Sequence, residues 1–295
     1  MKRRAWFTWE TQRRNAALAD AFSCDYLCFN YDHQPPPLRY IFCTARTLSS
    51  VLRNRYDLVF AQSPSIILAA LVALLKWPLG YLLVIDAHNI VIEQGLGGPW
   101  LIKRLIRYAF SQADYVLVSN AELCQAVVQL GGHPLILPDR VPTIESVASP
   151  KLIKNSKRPI ITLISSFAND EPIESFVKAA SDTKETFTLF VTGRRSKAGT
   201  SLRYEGEKIR FTDFLPHEDF DALIQHSDLL VDLTTRENCL VCGAYEALAV
   251  EVPVLLSDTN ALRQTFSGAS FTQNSAEGFR ASLVSSLQHL DQHKQ

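Results

Sequence analysis

Short runs of β-branched and aromatic residues alternate with longer stretches of helical period along the whole chain, and this alternation limits the fold more than any other feature. Strands are expected at Ala5–Trp9, Tyr26–Phe29, Leu58–Ala61, Leu82–Asp86, Tyr115–Ser119 and Leu135–Leu137, with helices between them at Thr11–Phe22, Arg39–Asn54, Ser65–Lys76, Trp100–Gln112 and Ala121–Leu130. A hydrophilic stretch, Val141 to Arg158, interrupts the pattern and reads as a linker. Alternation resumes with strands at Ile160–Ile164, Thr188–Thr192, Ile209–Phe211, Leu229–Leu233 and Val254–Leu256 and helices at Ile173–Ala180, Glu218–His226, Gly243–Val250 and Ala276–Leu290. Strand and helix in succession imply right-handed crossovers and parallel sheets covered on both faces. The expectation is an α/β chain of two doubly wound Rossmann-like domains, residues 1–145 and 158–295, facing a central cleft.

Bulk properties fit that reading. A chain of 295 residues is comfortable for two cores, and 47% hydrophobic with 20% charged residues argues against extensive disorder. The formal net charge is zero, so no global attraction to nucleic acid is indicated. Residues 1–150 carry 14 Lys/Arg against 11 Asp/Glu and residues 151–295 carry 16 against 19, a split of +3 and −3. Six cysteines sit mostly in apolar runs with no secretory leader before them, which points to free thiols in a reducing cytoplasm. Cys239 and Cys242 form a lone C-x-x-C without the further ligands a zinc site needs, so they read as small residues lining a turn. The apolar run Ile66–Leu75 is too short for a bilayer core needing about 20 residues and reads as a buried helix.

The stretch most suggestive of chemistry runs from Asp232 through Glu237-Asn238-Cys239 and Cys242-Gly243 to Glu246, then into the strand that begins after Val252-Pro253. It places a polar loop and a helix N-terminus at a strand's carboxyl end, where parallel sheets bind ligands and unpaired amides favour anions. Glu246, about one turn inside the helix, is positioned to accept hydroxyl hydrogen bonds from a sugar or ribose. The stretch resembles the donor site of retaining, nucleotide-sugar-dependent glycosyltransferases of the GT-B fold, the group 1 or family 4-like enzymes, whose motif is E-x7-E before a small-residue helix and a Pro-Val strand. The resemblance implies that Glu246, Gly243 and Cys242 bind the donor, with Glu246 on its ribose, and that Asn238 or Glu237 holds the sugar hydroxyls. Counting back eight from Glu246 reaches Asn238, so either Asn238 fills the first-carboxylate place or a one-residue bulge lets Glu237 do so.

Further candidates lie at other strand tips. His88, in Asp86-Ala-His88-Asn89, takes the place of functional histidines in the resembled family. The crossing from Trp6 to Asn15 lacks the glycine-rich loop often found there, and its polar residues Glu10, Arg13 and Arg14 either grip a hydroxylated or anionic acceptor or begin a plain surface helix. Leu137-Pro138-Asp139-Arg140 resembles the passage that closes the first domain in these enzymes, with Arg140 in place of glycine. Many relatives carry an Arg and a Lys after the first strand of the second domain, yet Asn169-Asp170-Glu171 stands here, so Arg194, Arg195 and Arg236 become the candidates for the leaving-group charge. Trp100, Lys103, Arg104 and Arg107 mark a basic amphipathic helix that either lies on a membrane surface or faces the core with a solvated basic side.

The expected function is transfer of a hexosyl-type sugar from a nucleotide-diphosphate-sugar to a glycan or lipid-linked acceptor, as in polysaccharide biosynthesis. The resemblance implies retention of configuration and neither metal nor cofactor, and the expected place is the cytoplasm or the inner face of the membrane. Two alternatives stay open: a catalytically silent GT-B binding or scaffold subunit, and a sugar-nucleotide epimerase.

Overall fold

The computed structural model describes residues 3–11, 13–63, 65–145, 148 and 150–292, except for the side chains of Arg13, Asp291 and Gln292. The chain divides into two compact units, Met1–Arg140 and Val141–Gln295, so the whole hydrophilic stretch belongs to the second.

The first unit holds strands β1 (Arg4–Thr8), β2 (Asp25–Cys28), β3 (Leu58–Gln62), β4 (Leu82–Asp86), β5 (Tyr115–Val118) and β6 (Pro134–Ile136). They form one parallel sheet in the order β2-β1-β3-β4-β5-β6, so the direction of winding reverses between β1 and β3. Helices α1 (Arg13–Ala21), α2 (Pro36–Asn54), α3 (Ile66–Leu79), α4 (Asn89–Gly97), α5 (Trp100–Gln112) and α6 (Glu122–Gln129) connect them. One face of the sheet is sealed by α2 through α6, with Val51, Val72, Val91, Ile106 and Val127 buried against Phe7, Val59 and Ile85. The other face is covered by Leu18 and Ala19 of α1, over Trp6 stacked on Phe60 at 4.8 Å.

Two of the boundaries that differ from expectation have local reasons. Helix α2 begins at Pro36 because proline in a first turn gives up an N–H that has no intrahelical partner anyway. Helix α3 continues past Lys76 through Pro78 and stops at Gly80, whose left-handed φ of 73° lets its N–H close on the Lys76 carbonyl at 2.7 Å. Helix α4 was not expected, since its two glycines, Gly95 and Gly97, weaken the local helical signal. Gly95 packs closely all the same: a Cβ there would lie 2.8 Å from Leu130, whose side chain would have to shift.

The second unit repeats the architecture with strands β7 (Ile160–Ile164), β8 (Thr188–Val191), β9 (Ile209–Phe211), β10 (Leu229–Asp232), β11 (Val254–Ser257) and β12 (Ser270–Thr272). Its parallel order is β12-β11-β10-β7-β8-β9, so the winding reverses between β7 and β10. Helices are α7 (Ile173–Asp182), α8 (His217–Gln225), α9 (Cys242–Val250), α10 (Asn260–Thr265) and α11 (Ala276–Gln292). Helices α7 and α11 cover one face through Phe176 and Phe279, while α8, α9 and α10 cover the other. The loop after β8 contains two short 3-10 turns, Arg195–Lys197 and Gly199–Tyr204. Strand β12 and helix α10 were not anticipated, because three and six residues are too few to display a period.

Candidate functional site

In the second unit the reversal between β7 and β10 sends their following loops apart, which leaves the carboxyl edge of the sheet open to a ligand. Strand β10 ends in the buried carboxylate Asp232, whose Oδ2 accepts the N–H of Gly243 at 2.8 Å, near the start of α9. A Cβ on residue 243 would come within 2.5 Å of that oxygen and 2.8 Å of Ile164, so only glycine lets α9 approach the strand this closely. Burial pushes the Asp232 carboxyl well above the usual range; the Gly243 N–H works against this, and the charges of Glu171, Glu246 and Asp170 add to it. These surroundings favour its neutral form.

The loop after β7 is fastened to the loop after β10 by Asp170. Its Oδ2 accepts the Thr234 hydroxyl at 3.1 Å and lies 3.4 Å from Nε of Arg236, and its carbonyl accepts the Thr235 N–H at 2.7 Å and the Thr235 hydroxyl at 3.1 Å. Glu171 turns back on its own loop, accepting the hydroxyls of Ser165 at 2.8 Å and Ser166 at 2.6 Å and the Ser166 N–H at 3.0 Å. Thr234 is held from the far side: its N–H reaches Ser257 Oγ at 3.0 Å and its carbonyl accepts Asn274 Nδ2 at 2.8 Å. The loop after β8 packs equally close, since a Cβ on Gly193, at φ 99°, would meet the Ser165 carbonyl at 2.4 Å.

Among the residues singled out in sequence, Glu237, Asn238 and Cys242 are exposed where the β10 loop turns into α9, and Glu246 is half-buried one turn further along. Glu246, like Asp170 and Glu171, lies near enough to act on the Asp232 carboxyl, so four carboxyl groups gather at one sheet edge. Arg236 belongs to this group through Asp170. Arg194 is exposed, its guanidinium 5.8 Å from the centre of the Phe214 ring, while Arg195 pairs with Glu205 and donates its N–H to Asp213 at 3.0 Å. Asp232 carried no sequence signal as a positioning group; its position at the tip of an apolar strand, eleven residues before a glycine that begins a helix, was the available clue.

In the first unit Arg14 is mostly buried, and its guanidinium donates to Asp86 at 2.9 and 3.2 Å, to Asp139 and to the Leu137 carbonyl at 3.0 Å. Burial alone lowers its affinity for the proton, but the two carboxylates outweigh that and raise it further above the ordinary arginine value. Arg14 thus ties the start of α1 to the tip of β4 and to the segment after β6. Asn15, next to it, is fully buried, and neither of its amide atoms has a hydrogen-bond partner among the described residues. His88 is exposed at the N-cap of α4, its N–H 3.4 Å from Ser63 Oγ. Glu10 follows β1, its N–H and carbonyl both bonded to the Thr8 hydroxyl at 3.1 and 2.7 Å. The Arg13 side chain lies outside the described residues. No group of three or more His, Cys, Asp or Glu among the described residues is placed to hold a metal ion.

Residues 158–289 match the family model described as Glycosyl transferases group 1. No curated protein matches the chain at the sequence level. Among solved structures the chain is similar to sucrose-phosphate synthase from Thermosynechococcus elongatus, with 14% identity, a TM-score of 0.77 and coverage of 99% of this chain and 91% of that one. It is similar also to Anabaena HepE in complex with UDP and glucose, at 13% identity and TM-score 0.73 over 98% of this chain and 92% of that one. An E. coli trehalose-6-phosphate structure bound with UDP-2-fluoro glucose aligns at 11% identity and TM-score 0.67, covering 95% of this chain and 76% of that one.

Proposed function

We propose, from the match of residues 158–289 to the Glycosyl transferases group 1 model in a chain of GT-B fold, that the protein transfers a sugar from a nucleotide-diphosphate-sugar. The observation that carries this reading is the β7–β10 edge, where α9 starts against Asp232 through Gly243 and presents Glu246 one turn inside. Glu246 suits ribose hydroxyls and Asn238 or Glu237 suits hydroxyls of the transferred sugar, whereas the Gly243 N–H at the start of α9 is already given to Asp232. The structures of HepE with UDP and glucose and of the E. coli protein with UDP-2-fluoro glucose support a donor of this class.

In the reaction the bond between the sugar's anomeric carbon and the diphosphate oxygen breaks, a bond to an acceptor hydroxyl oxygen forms, and that hydroxyl loses its proton. Charge grows on the departing nucleoside diphosphate, and preorganised donors lower that barrier. Arg236 is our candidate for the cation, already oriented by Asp170 beside α9, with Arg194 next; Arg195 would first have to leave Glu205. We assign retention of configuration and a hexosyl donor from the resemblance, with a glycan or lipid-linked acceptor of the kind used in polysaccharide biosynthesis. His88 and Glu10 are the candidate first-unit contacts, whereas Arg14, with Asp86 and Asp139 on its guanidinium, serves better to hold its own unit together. A lipid-linked acceptor would draw the chain to a membrane surface, and α5, with exposed Trp100, Arg104 and Arg107, would meet it there.

The test is calorimetric titration of the folded chain with a panel of nucleotide sugars, repeated on Glu246→Ala. Loss of one charged hydrogen-bond partner should weaken the preferred donor by about 10- to 100-fold. Unchanged affinity would remove Glu246 from the site. The carboxylates at Asp170 and Glu171, where the resembled enzymes carry cations, favour one second reading, a silent subunit. It would be preferred if the wild type bound no donor and turned over no acceptor.

A further inference from the structure

Helices α2, α3 and α5 lie side by side on one face of the first sheet, with α3 packed against both neighbours. Their inner sides are buried in the core, but their outer sides are unusually apolar. Trp77 and Leu74 on α3 are 75% and 63% exposed, Ile41 on α2 is 60% exposed, and Trp100 on α5 is 66% exposed. Phe42 and Leu38 extend the α2 stripe and Leu101 the α5 stripe. Scattered surface leucines are ordinary, whereas protruding tryptophans and aliphatic side chains grouped on adjoining helices mark a surface that meets something apolar.

The charge on these helices is one-sided. Together they carry seven Lys/Arg (Arg39, Arg46, Arg53, Lys76, Lys103, Arg104 and Arg107) and no Asp or Glu. Arg39 and Lys76 are met by Asp32 and Asp114 from flanking segments. Arg46, Arg53, Arg104 and Arg107 have no carboxylate partner among the described residues, and Arg104 lies over the Trp100 ring at 5.1 Å. No helix among the described residues is long and apolar enough to cross a membrane.

We infer that the joint outer face of α2, α3 and α5 docks on an anionic lipid surface, with Trp77, Leu74, Ile41 and Phe42 entering the interface and the unpaired cations meeting lipid headgroups. Tryptophan and aliphatic side chains partition into the headgroup boundary, and each nearby cation adds attraction to anionic lipid. A second copy meeting this face would set arginines against arginines. A nucleic acid would satisfy the cations but leave the protruding apolar side chains without use. The inference extends the proposed α5 contact to three helices and rests on that reading for the membrane as partner, but it does not depend on transferase activity.

Co-sedimentation of the full chain with vesicles of phosphatidylcholine alone, or mixed with phosphatidylglycerol, tests it. The wild type should sediment with the mixed vesicles and be released by salt. Trp77→Ser with Leu74→Ser, and Ile41→Ser with Phe42→Ser, should each weaken binding by about tenfold. Each of Arg46→Gln and Arg53→Gln should weaken it about fivefold. All these positions are exposed, and circular dichroism with donor titration on the same samples checks that the fold and the donor site persist, so failure of this face is distinguishable from failure of the transferase reading. Equal recovery with neutral vesicles, no binding at low salt, or a loss confined to Lys103→Gln, Arg104→Gln and Arg107→Gln would overturn the three-helix face. A wild-type dimer broken by the α3 substitutions would assign it instead to a second copy.

Discussion

The two units put opposite chemistry on the same kind of sheet edge. In the first, Arg14 is sunk between Asp86 and Asp139, and its charge is met inside the protein by those two carboxylates. In the second, Asp170, Glu171, Asp232 and Glu246 gather at the corresponding edge, Arg236 is bound to one of them, and Asp232 is driven toward its neutral form by burial. Doubly wound topology therefore decides where loops diverge, while the side chains in those loops decide whether the edge is closed by its own ion pairs or left rich in acceptors. An edge of the second kind suits a ligand that brings hydroxyl donors.

The contrast is most exposed to test at Arg14. Arg14→Met should strand the buried Asp86 carboxylate and destabilise the first unit by about 3 kcal/mol, the lower end for a broken buried pair because the guanidinium keeps some contact with water. Urea unfolding measures this, and a loss within experimental error would mean that the first edge is not closed by its ion pairs. In the second unit the largest effect is expected from Gly243→Ala, which forces a methyl group against Asp232 and Ile164 and should cost about 2 kcal/mol by the same measurement. A neutral result would show that α9 can move away from the strand and that its start is not held in place by that contact.

Asp232→Asn sharpens the comparison through pH. Because the folded carboxyl holds its proton to higher pH than the unfolded one, the folded state binds more protons as pH rises above about 3.9, and wild-type stability falls through that window until Asp232 ionises in the fold. The asparagine keeps an acceptor for Gly243 and removes this slope, so wild type and variant should diverge from acid toward neutral pH, with the variant the more stable at neutral pH. Parallel curves would mean that burial does not hold the Asp232 proton above its ordinary range. The smallest effect on folding is expected from Arg236→Gln, which breaks a partly exposed pair and should change stability by less than about 1 kcal/mol. If Arg236 meets the leaving group, single-turnover rates should fall far more than donor affinity. Unchanged turnover would pass that role to Arg194.

Sequence alone determined the α/β class, two doubly wound units and most strand positions, because burial on a sheet and burial on one helical face leave different local periods. It also marked the β10–α9 segment, whose loop, glycine and carboxylate lie within a short run of chain. What it left undecided were partnerships across long separations: Arg14 meets residues 72 and 125 positions away, and Asp170 meets Thr234 across 64. Arg14 thus read equally well as an acceptor contact, and Asp170 only as a missing cation, since neither residue type reveals which distant carboxylate or hydroxyl the fold will bring to it. The neutral-leaning Asp232 was hidden for the same reason, because burial and three neighbouring carboxylates exist only after β7, β10 and α9 have packed. Local pattern decides which segments become strands and helices; the charge state and partners of a side chain belong to tertiary structure, where desolvation and proximity act together.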